Sequence, residues 1–291
     1  MPLVPLTDLL ADAVAGRYAV GYFEAWDGAS LEAVLDAAEA ERAPVILGFG
    51  FLLAGPAGLD AQHIETIARL GLGAAARSTV AVSLLLNEVH TVDDAVAGLE
   101  AGFNAAMLCS GDVGDVSRLV LAAHDRGAAV EGELGTLPDA KGTEIDASHA
   151  SLTDPGEAAA FVEVTGVDCL AVSFGNVHTL QGRSATVDLD RLGAIRARVD
   201  VPLVVHGGTS FPPELVPGAI AHGVAKFNVG TVLKHAFLDG LTEAVGTRSP
   251  ELGPHDLLGS HRETDLLEAG KRRVVAVVRD RMRLYGSAGR A

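Results

Sequence analysis

A closed (β/α)8 barrel, the TIM barrel, is the fold class this sequence predicts, and three observations carry that reading. Short runs rich in β-branched and aliphatic residues alternate with longer stretches of helical apolar spacing from one end of the chain to the other. Eight such runs fit within 291 residues, more than an open doubly wound sheet usually holds. The glycine-rich first turn of a dinucleotide-binding sheet is absent.

The expected strands are Tyr18 to Phe23, Pro44 to Phe49, Thr79 to Leu86, Asn104 to Cys109, Ala128 to Leu134, Asp168 to Phe174, Pro202 to His206 and Val224 to Val229. Between them, Leu31 to Arg42, Val92 to Ala101, Pro155 to Thr165 and Pro213 to Ala221 carry apolar residues at helical spacing. Asp154-Pro155 reads as an N-cap followed by proline at the first helical position, and Gly102, Gly166 and Gly223 stand where helices should stop. Two long connections, Gly135 to Ser151 and Asn176 to Val187, are expected to be functional loops. A helical extension follows from about Gly246. With no linker or short repeat in view, residues 1–291 are expected to form a single domain.

The formal net charge of −16 argues against a nucleic-acid partner, because phosphate backbones require clustered Lys and Arg. No apolar run approaches the roughly 20 residues of a membrane span, and the opening Met1-Pro2-Leu3-Val4 lacks the basic flank and apolar block of a secretory signal. A cytoplasmic protein is expected. Cys109 and Cys169 lie in apolar strand-like runs and read as small core hydrophobes.

Chemistry in such barrels gathers at the C-terminal ends of the strands. Here those ends offer Glu24, Gly50, Asn87-Glu88, Cys109-Ser110, Glu131 and Glu133, Asn176 with His178, His206-Gly207-Gly208-Thr209, and Asn228 with Thr231. Carboxylates and two histidines converging on one rim suggest a divalent-metal site with a general acid nearby. Each group also has a plainer reading. A lone strand-end histidine is more often a satisfied polar side chain, Glu88 is equally a solvated loop charge, and one of Glu131 and Glu133 serves as a salt-bridge partner inside the barrel. The remaining histidines fall on helices or loops and read as surface residues.

Several segments resemble the class II, metal-dependent fructose- and tagatose-bisphosphate aldolases. They are Arg17-Tyr18-Ala19-Val20-Gly21, Glu131-Gly132-Glu133-Leu134-Gly135, Leu152-Thr153-Asp154-Pro155, Val167-Asp168-Cys169-Leu170-Ala171-Val172, His206-Gly207-Gly208-Thr209, Lys226-Phe227-Asn228 and the ending Arg283-Leu284-Tyr285-Gly286-Ser287-Ala288-Gly289. The order is conserved along nearly the whole chain. The resemblance implies a zinc ion that polarises the ketone of a ketose phosphate and stabilises the enediolate left after carbon–carbon cleavage. It maps His178 and His206 onto two zinc ligands, Glu133 onto a glutamate near the metal, and Asn228 onto a substrate-contacting asparagine. Gly207, Gly208, Thr209 and Thr231 map onto a phosphate cradle, with cation support from Lys226 or Arg183.

Departures from that family are as informative. Its third strand ends in Asp-His, where this chain has Asn87-Glu88. An amide cannot donate the catalytic proton, whereas Glu88 can ligate a divalent ion with His178 and His206. Zinc is expected, and the oxygen ligand also suits manganese, iron or cobalt. Glu24 stands where the family has Asn, as though amide and carboxylate had exchanged places across the mouth. A pocket of Phe23, Phe51 and Trp26 would then raise the pKa of Glu24 and make it the proton donor. Gly50 replaces Ser, Cys109 replaces Asp, and Thr179 replaces a glycine. The expectation is an aldolase acting on a phosphorylated ketose or related sugar other than standard fructose 1,6-bisphosphate, as a homodimer or homotetramer. The alternatives are a non-catalytic aldolase-like subunit and a metal-dependent sugar-phosphate isomerase or epimerase.

Overall fold

The computed structural model describes residues 3–50, 61–141, 143–180 and 182–291. Eight parallel strands close into a barrel: β1 (Val20–Glu24), β2 (Val45–Gly50), β3 (Val82–Val89), β4 (Ala105–Leu108), β5 (Ala129–Leu134), then, after a small hairpin of β6 (Asp139–Lys141) and β7 (Glu144–Asp146), β8 (Cys169–Val172), β9 (Leu203–Val205) and β10 (Val224–Val229). Each barrel strand pairs with its chain neighbour, and β1 closes onto β10 with Tyr22 opposite Asn228. All eight expected strands are present. The hairpin occupies the first of the two long loops, where no strands were expected.

The helices are α1 (Leu6–Gly16), α2 (Gly28–Glu41), α3 (Ala61–Arg77), α4 (Val92–Ala101), α5 (Val113–His124), α6 (Pro155–Thr165), α7 (Leu189–Arg196), α8 (Val216–Ala221), α9 (Thr231–Thr247), α10 (Pro254–Leu257) and α11 (Leu266–Leu284). Local chemistry sets their ends. The Asp154 carboxylate accepts from the N–H groups of Gly156 and Glu157, satisfying donors that the first turn of α6 leaves open, and Pro155 loses nothing by lacking one. Gly102 and Gly166 close α4 and α6 at φ 114° and 71°. The stretch expected as one helix from Pro213 to Ala221 divides into a 3-10 turn, Pro213–Leu215, and α8. Pro217 has no N–H to bond backwards, so the α-helical register begins only around it.

Alternation along the strands sorts residues into two layers. One face packs on the helices and forms the larger core, containing Phe23, Leu47, Leu84, Leu86, Val130, Leu170 and Val205. The other fills the barrel with Val20, Tyr22, Ile46, Leu85, Met107, Cys169, Ala171 and Val204. That inner layer continues into α1, whose Leu6, Leu9, Leu10 and Ala13 stopper the N-terminal end. Each buried leucine contributes about 2 kcal/mol. Sealed below, the barrel opens only towards the C-terminal ends of its strands. Cys169 is the small inner hydrophobe expected of it. Cys109 is not: it lies half-buried at the rim, its thiol pushed up to about 11 by burial and by the charges of Glu88 and Glu133.

The C-terminal extension packs onto the barrel. Helix α11 lies against α9 and α2, the helices that follow the two strands at the closure. Lys271 pins it to α2 with an ion pair to Glu32 at 2.8 Å, and Tyr285 stacks on Phe227 of β10 with ring centroids 4.5 Å apart. Among the described residues no helix is long and apolar enough to cross a membrane.

Candidate active site

A cavity at the open end is lined by Tyr22, Glu24, Gly50, Asn87, Glu88, Asp139, His178, Thr179, His206, Gly207, Thr209, Asn228 and the start of α9. Strand ends supply most of these side chains. The ladder of β3 shifts register between Leu86 and Val89, and Glu88 takes a left-handed φ of 56°. A non-glycine residue rarely adopts that conformation. It turns Glu88 out of the strand towards the mouth, so Glu88 is not the solvated loop charge that was open to it.

His206 directly follows β9 and is buried. Its Nε2 lies 2.8 Å from Glu131 Oε1, and the other oxygen of Glu131 lies 2.7 Å from Lys226 Nζ. Glu131 and Lys226 are both fully buried, and Lys226 also donates to Asn228 Oδ1. Burial alone would raise the Glu131 carboxyl, but Lys226 and His206 outweigh it and hold it down at about 2. Glu131 thus fixes the imidazole with Nδ1 turned to the mouth, as an outer-shell carboxylate does. Against the effect of burial, Glu133 and Glu131 push the His206 pKa up to about 10.

His178 comes from the loop after β8, held by its neighbours. Its N–H donates to Pro138 O, its carbonyl accepts from Ala140 N, and the Thr179 hydroxyl reaches Ala140 O, which staples this loop to the β6–β7 hairpin. Buried Asn176 ties the same loop to the carbonyls of Val172 and His206. Burial and the neighbouring His206 lower the His178 pKa and favour the neutral ring.

His178, His206 and Glu133 have ligand atoms within 4.8 Å of one another. Glu133 Oε1 lies 3.2 Å and Glu88 Oε1 3.8 Å from His206 Nδ1. Both His206 Nδ1 and His178 Nε2 are buried without a hydrogen-bond partner among the described residues, and Glu133 stands 3.2 Å from the first as an ion-pair partner. Donor atoms around a tetrahedral ion with bonds of roughly 2.0–2.2 Å stand roughly 3.3–3.6 Å apart. The group therefore fits a divalent cation. Of the two carboxylates, Glu133 is nearer to His206 Nδ1 than Glu88.

On the opposite wall Glu24 is only 8% exposed, and burial raises its pKa despite an ion pair of 2.8 Å with Lys234. The pocket expected around it is different in composition. Phe23 points away into the outer core, Phe51 lies outside the described residues, and Trp26 packs edge-on against Phe237. Glu24 sits instead between Gly50 and Gly230. A Cβ at Gly230 would come within 2.3 Å of its Oε2.

Two anticipated phosphate contacts change. Gly208 N–H donates to Asn228 O and is not available to a ligand, while Gly207, Thr209 and Thr231 do line the cavity. Arg183 is exposed and lies off the cavity wall. Lys234, the fourth residue of α9, reaches the rim through its ion pair with Glu24. Sequence reasoning passed it over because a lysine at that helical position reads as a surface charge.

A model of the class II fructose-bisphosphate aldolases matches residues 4–290. The chain belongs to the class II fructose-bisphosphate aldolase family. Among solved structures it is similar to the YdjI aldolase from Escherichia coli K12, with 27% identity, 99% of each chain covered and a TM-score of 0.82. It also shares the fold of the fructose-bisphosphate aldolase from Campylobacter jejuni, at 20% identity, 100% of this chain and 97% of that one, with a TM-score of 0.79. This class II aldolase is thus a carbon–carbon lyase of a metal-dependent class whose substrates are sugar phosphates.

Proposed function

We propose that this class II aldolase cleaves or forms a phosphorylated ketose carrying one phosphate, rather than fructose 1,6-bisphosphate, with a divalent ion held by His178, His206 and the carboxylates of Glu88 and Glu133. The pair of buried, unpartnered imidazole nitrogens facing two carboxylates carries this reading. Zinc suits the histidines, and the two oxygen donors extend the choice to manganese, iron or cobalt. Bound there, the ion supplies Lewis-acid polarisation of the substrate ketone and stabilises the charge left when the carbon–carbon bond breaks.

The chain's own residues supply the rest. Glu24 takes the proton from the hydroxyl on the carbon that becomes the aldehyde and returns it in the reverse direction. Asn228, its carbonyl taken by Lys226, directs its amide N–H to a substrate hydroxyl, and Asn87 Oδ1, without a partner among the described residues, accepts from another. The phosphate binds at Thr209, the Thr231 hydroxyl and the N-terminal turn of α9 beside Gly207. Among the described residues Lys234 reaches the rim already paired with Glu24, while Glu24, Glu88 and Asp139 line the cavity. That balance supports one phosphate site. The reading extends to one domain over residues 1–291 and a cytoplasmic homodimer or homotetramer, in keeping with Leu238 and Val245 exposed seven residues apart on α9.

Metal binding tests the donor set. Equilibrium dialysis followed by elemental analysis should find one divalent ion per wild-type chain. Glu88→Ala and Glu133→Ala should each weaken zinc affinity roughly tenfold or more. A wild type that retains no ion removes the site altogether. Unchanged affinity in Glu88→Ala leaves Glu133 as the sole carboxylate donor.

A further inference from the structure

Tyr22 is an inward-facing residue of β1, one pleat below Glu24, and is 3% exposed. Its ring lies directly over Gly48 of β2, where any Cβ would fall 1.6 Å from Cε2. A residue of this size at position 22 therefore requires glycine at position 48. Lys226 Nζ stands 4.8 Å from the ring centroid. Tyr22 lines the mouth cavity, and its phenolic oxygen is buried with no hydrogen-bond partner among the described residues. A buried hydroxyl without a partner is unfavourable, and a phenylalanine would fill the same space without that penalty.

The second observation is what the hydroxyl faces. A Cβ placed on Gly50 would lie 3.3 Å from Glu24 Oε1 and 3.7 Å from Tyr22 Oη. Glycine puts no side chain at that position, so among the described residues carboxylate and phenol border the same space. A substrate oxygen entering it meets a proton acceptor and a hydrogen-bond donor together.

We propose that Tyr22 is a substrate-binding catalytic residue: its hydroxyl donates a hydrogen bond to the oxygen on the carbon that becomes the aldehyde, the same oxygen whose proton Glu24 exchanges. This rests on the aldolase reading above. In cleavage the substrate hydroxyl loses its proton to Glu24, its O–H electron pair becomes the second carbonyl bond, and the pair of the breaking carbon–carbon bond stays with the ketone fragment. Condensation reverses each transfer. Tyr22 keeps its own proton throughout and stabilises the negative charge that develops on that oxygen. Burial and the charges of Glu24, Glu88 and Glu131 raise its pKa well above 10, so it remains a donor.

Tyr22→Phe separates this role from others, because two partial reactions use different oxygens. Exchange of the carbon-bound protons of dihydroxyacetone phosphate with D2O, followed by NMR, needs the ketone end of the site only. Condensation of dihydroxyacetone phosphate with an aldehyde needs the aldehyde oxygen as well. The acceptor is whichever of glycolaldehyde, glyceraldehyde and glyceraldehyde 3-phosphate the wild type uses fastest. In Tyr22→Phe, kcat for condensation should fall roughly 10- to 100-fold, exchange should stay within about threefold of wild type, and Tm should not fall. Condensation within threefold of wild type, a parallel loss of exchange, or a lowered Tm overturns the assignment. A wild type without condensation overturns the aldolase reading, and the role of Tyr22 with it.

Discussion

Lys226→Met is expected to destabilise the protein by about 3–5 kcal/mol, the loss typical when one partner of a buried ion pair is removed. Methionine fits the space, so the effect isolates charge. Lys226 and Glu131 are fully buried 2.7 Å apart, and removing the ammonium leaves the Glu131 carboxylate to His206 and the weak thiol donor of Cys169. The pH dependence has a definite sign. The Glu131 pKa is depressed from 4.5 to about 2, so its stabilising contribution is fully present at neutral pH and is lost as pH falls through that range. Urea unfolding at pH 7 should therefore show the difference clearly. Adding Glu131→Gln to Lys226→Met should restore much of it, because the stranded charge is gone. A single-variant loss below about 1 kcal/mol would mean that His206 compensates Glu131 by itself.

Glu24→Gln is expected to lower kcat by roughly 10²-fold or more with metal content intact, since general acid–base groups typically contribute 10²- to 10⁴-fold. Glutamine preserves size and can still accept from Lys234, but it cannot exchange a proton. Wild-type turnover in this variant would remove Glu24 from the mechanism and turn attention to Glu133, Asp139 or Glu144. The sharper comparison restores the arrangement common in the family. Glu24→Asn and Asn87→Asp together should recover part of the activity lost by either alone, whereas simple additivity would make the two positions independent. Both side chains are buried on the cavity wall, which suits a shared task.

The barrel was legible because its signals are local. Alternating runs such as Ala129–Leu134 and stop signals such as Gly102 need no knowledge of distant residues. The site was legible only as far as strand ends are. Glu24, Asn87, Glu88, His178, His206 and Asn228 all stand at strand ends or in the loops just after them, and the closed barrel brings them to one cavity. What sequence could not show are relations across strands. The fit of the Tyr22 ring over Gly48, the bridge from Lys226 through Glu131 to His206, and the reach of Lys234 to Glu24 each depend on register and helix placement. Arg183 illustrates the converse, because a loop cation carries no local mark of whether it faces a cavity. Glu88 owes its position to a left-handed φ in a shifted ladder, which no propensity for glutamate announces.

Retro-aldol cleavage before and after metal removal bears most directly on the central claim that this family member is a working, metal-dependent aldolase with altered site residues. Wild-type protein, its chelator-treated form and the same form resupplied with zinc would be assayed against fructose 1-phosphate, tagatose 6-phosphate, other ketose monophosphates and fructose 1,6-bisphosphate. The expected result is cleavage of a monophosphate in preference to the bisphosphate, lost on chelation and restored by zinc. Cleavage that survives chelation, or a zinc-loaded protein that cleaves none of these sugars, would contradict it.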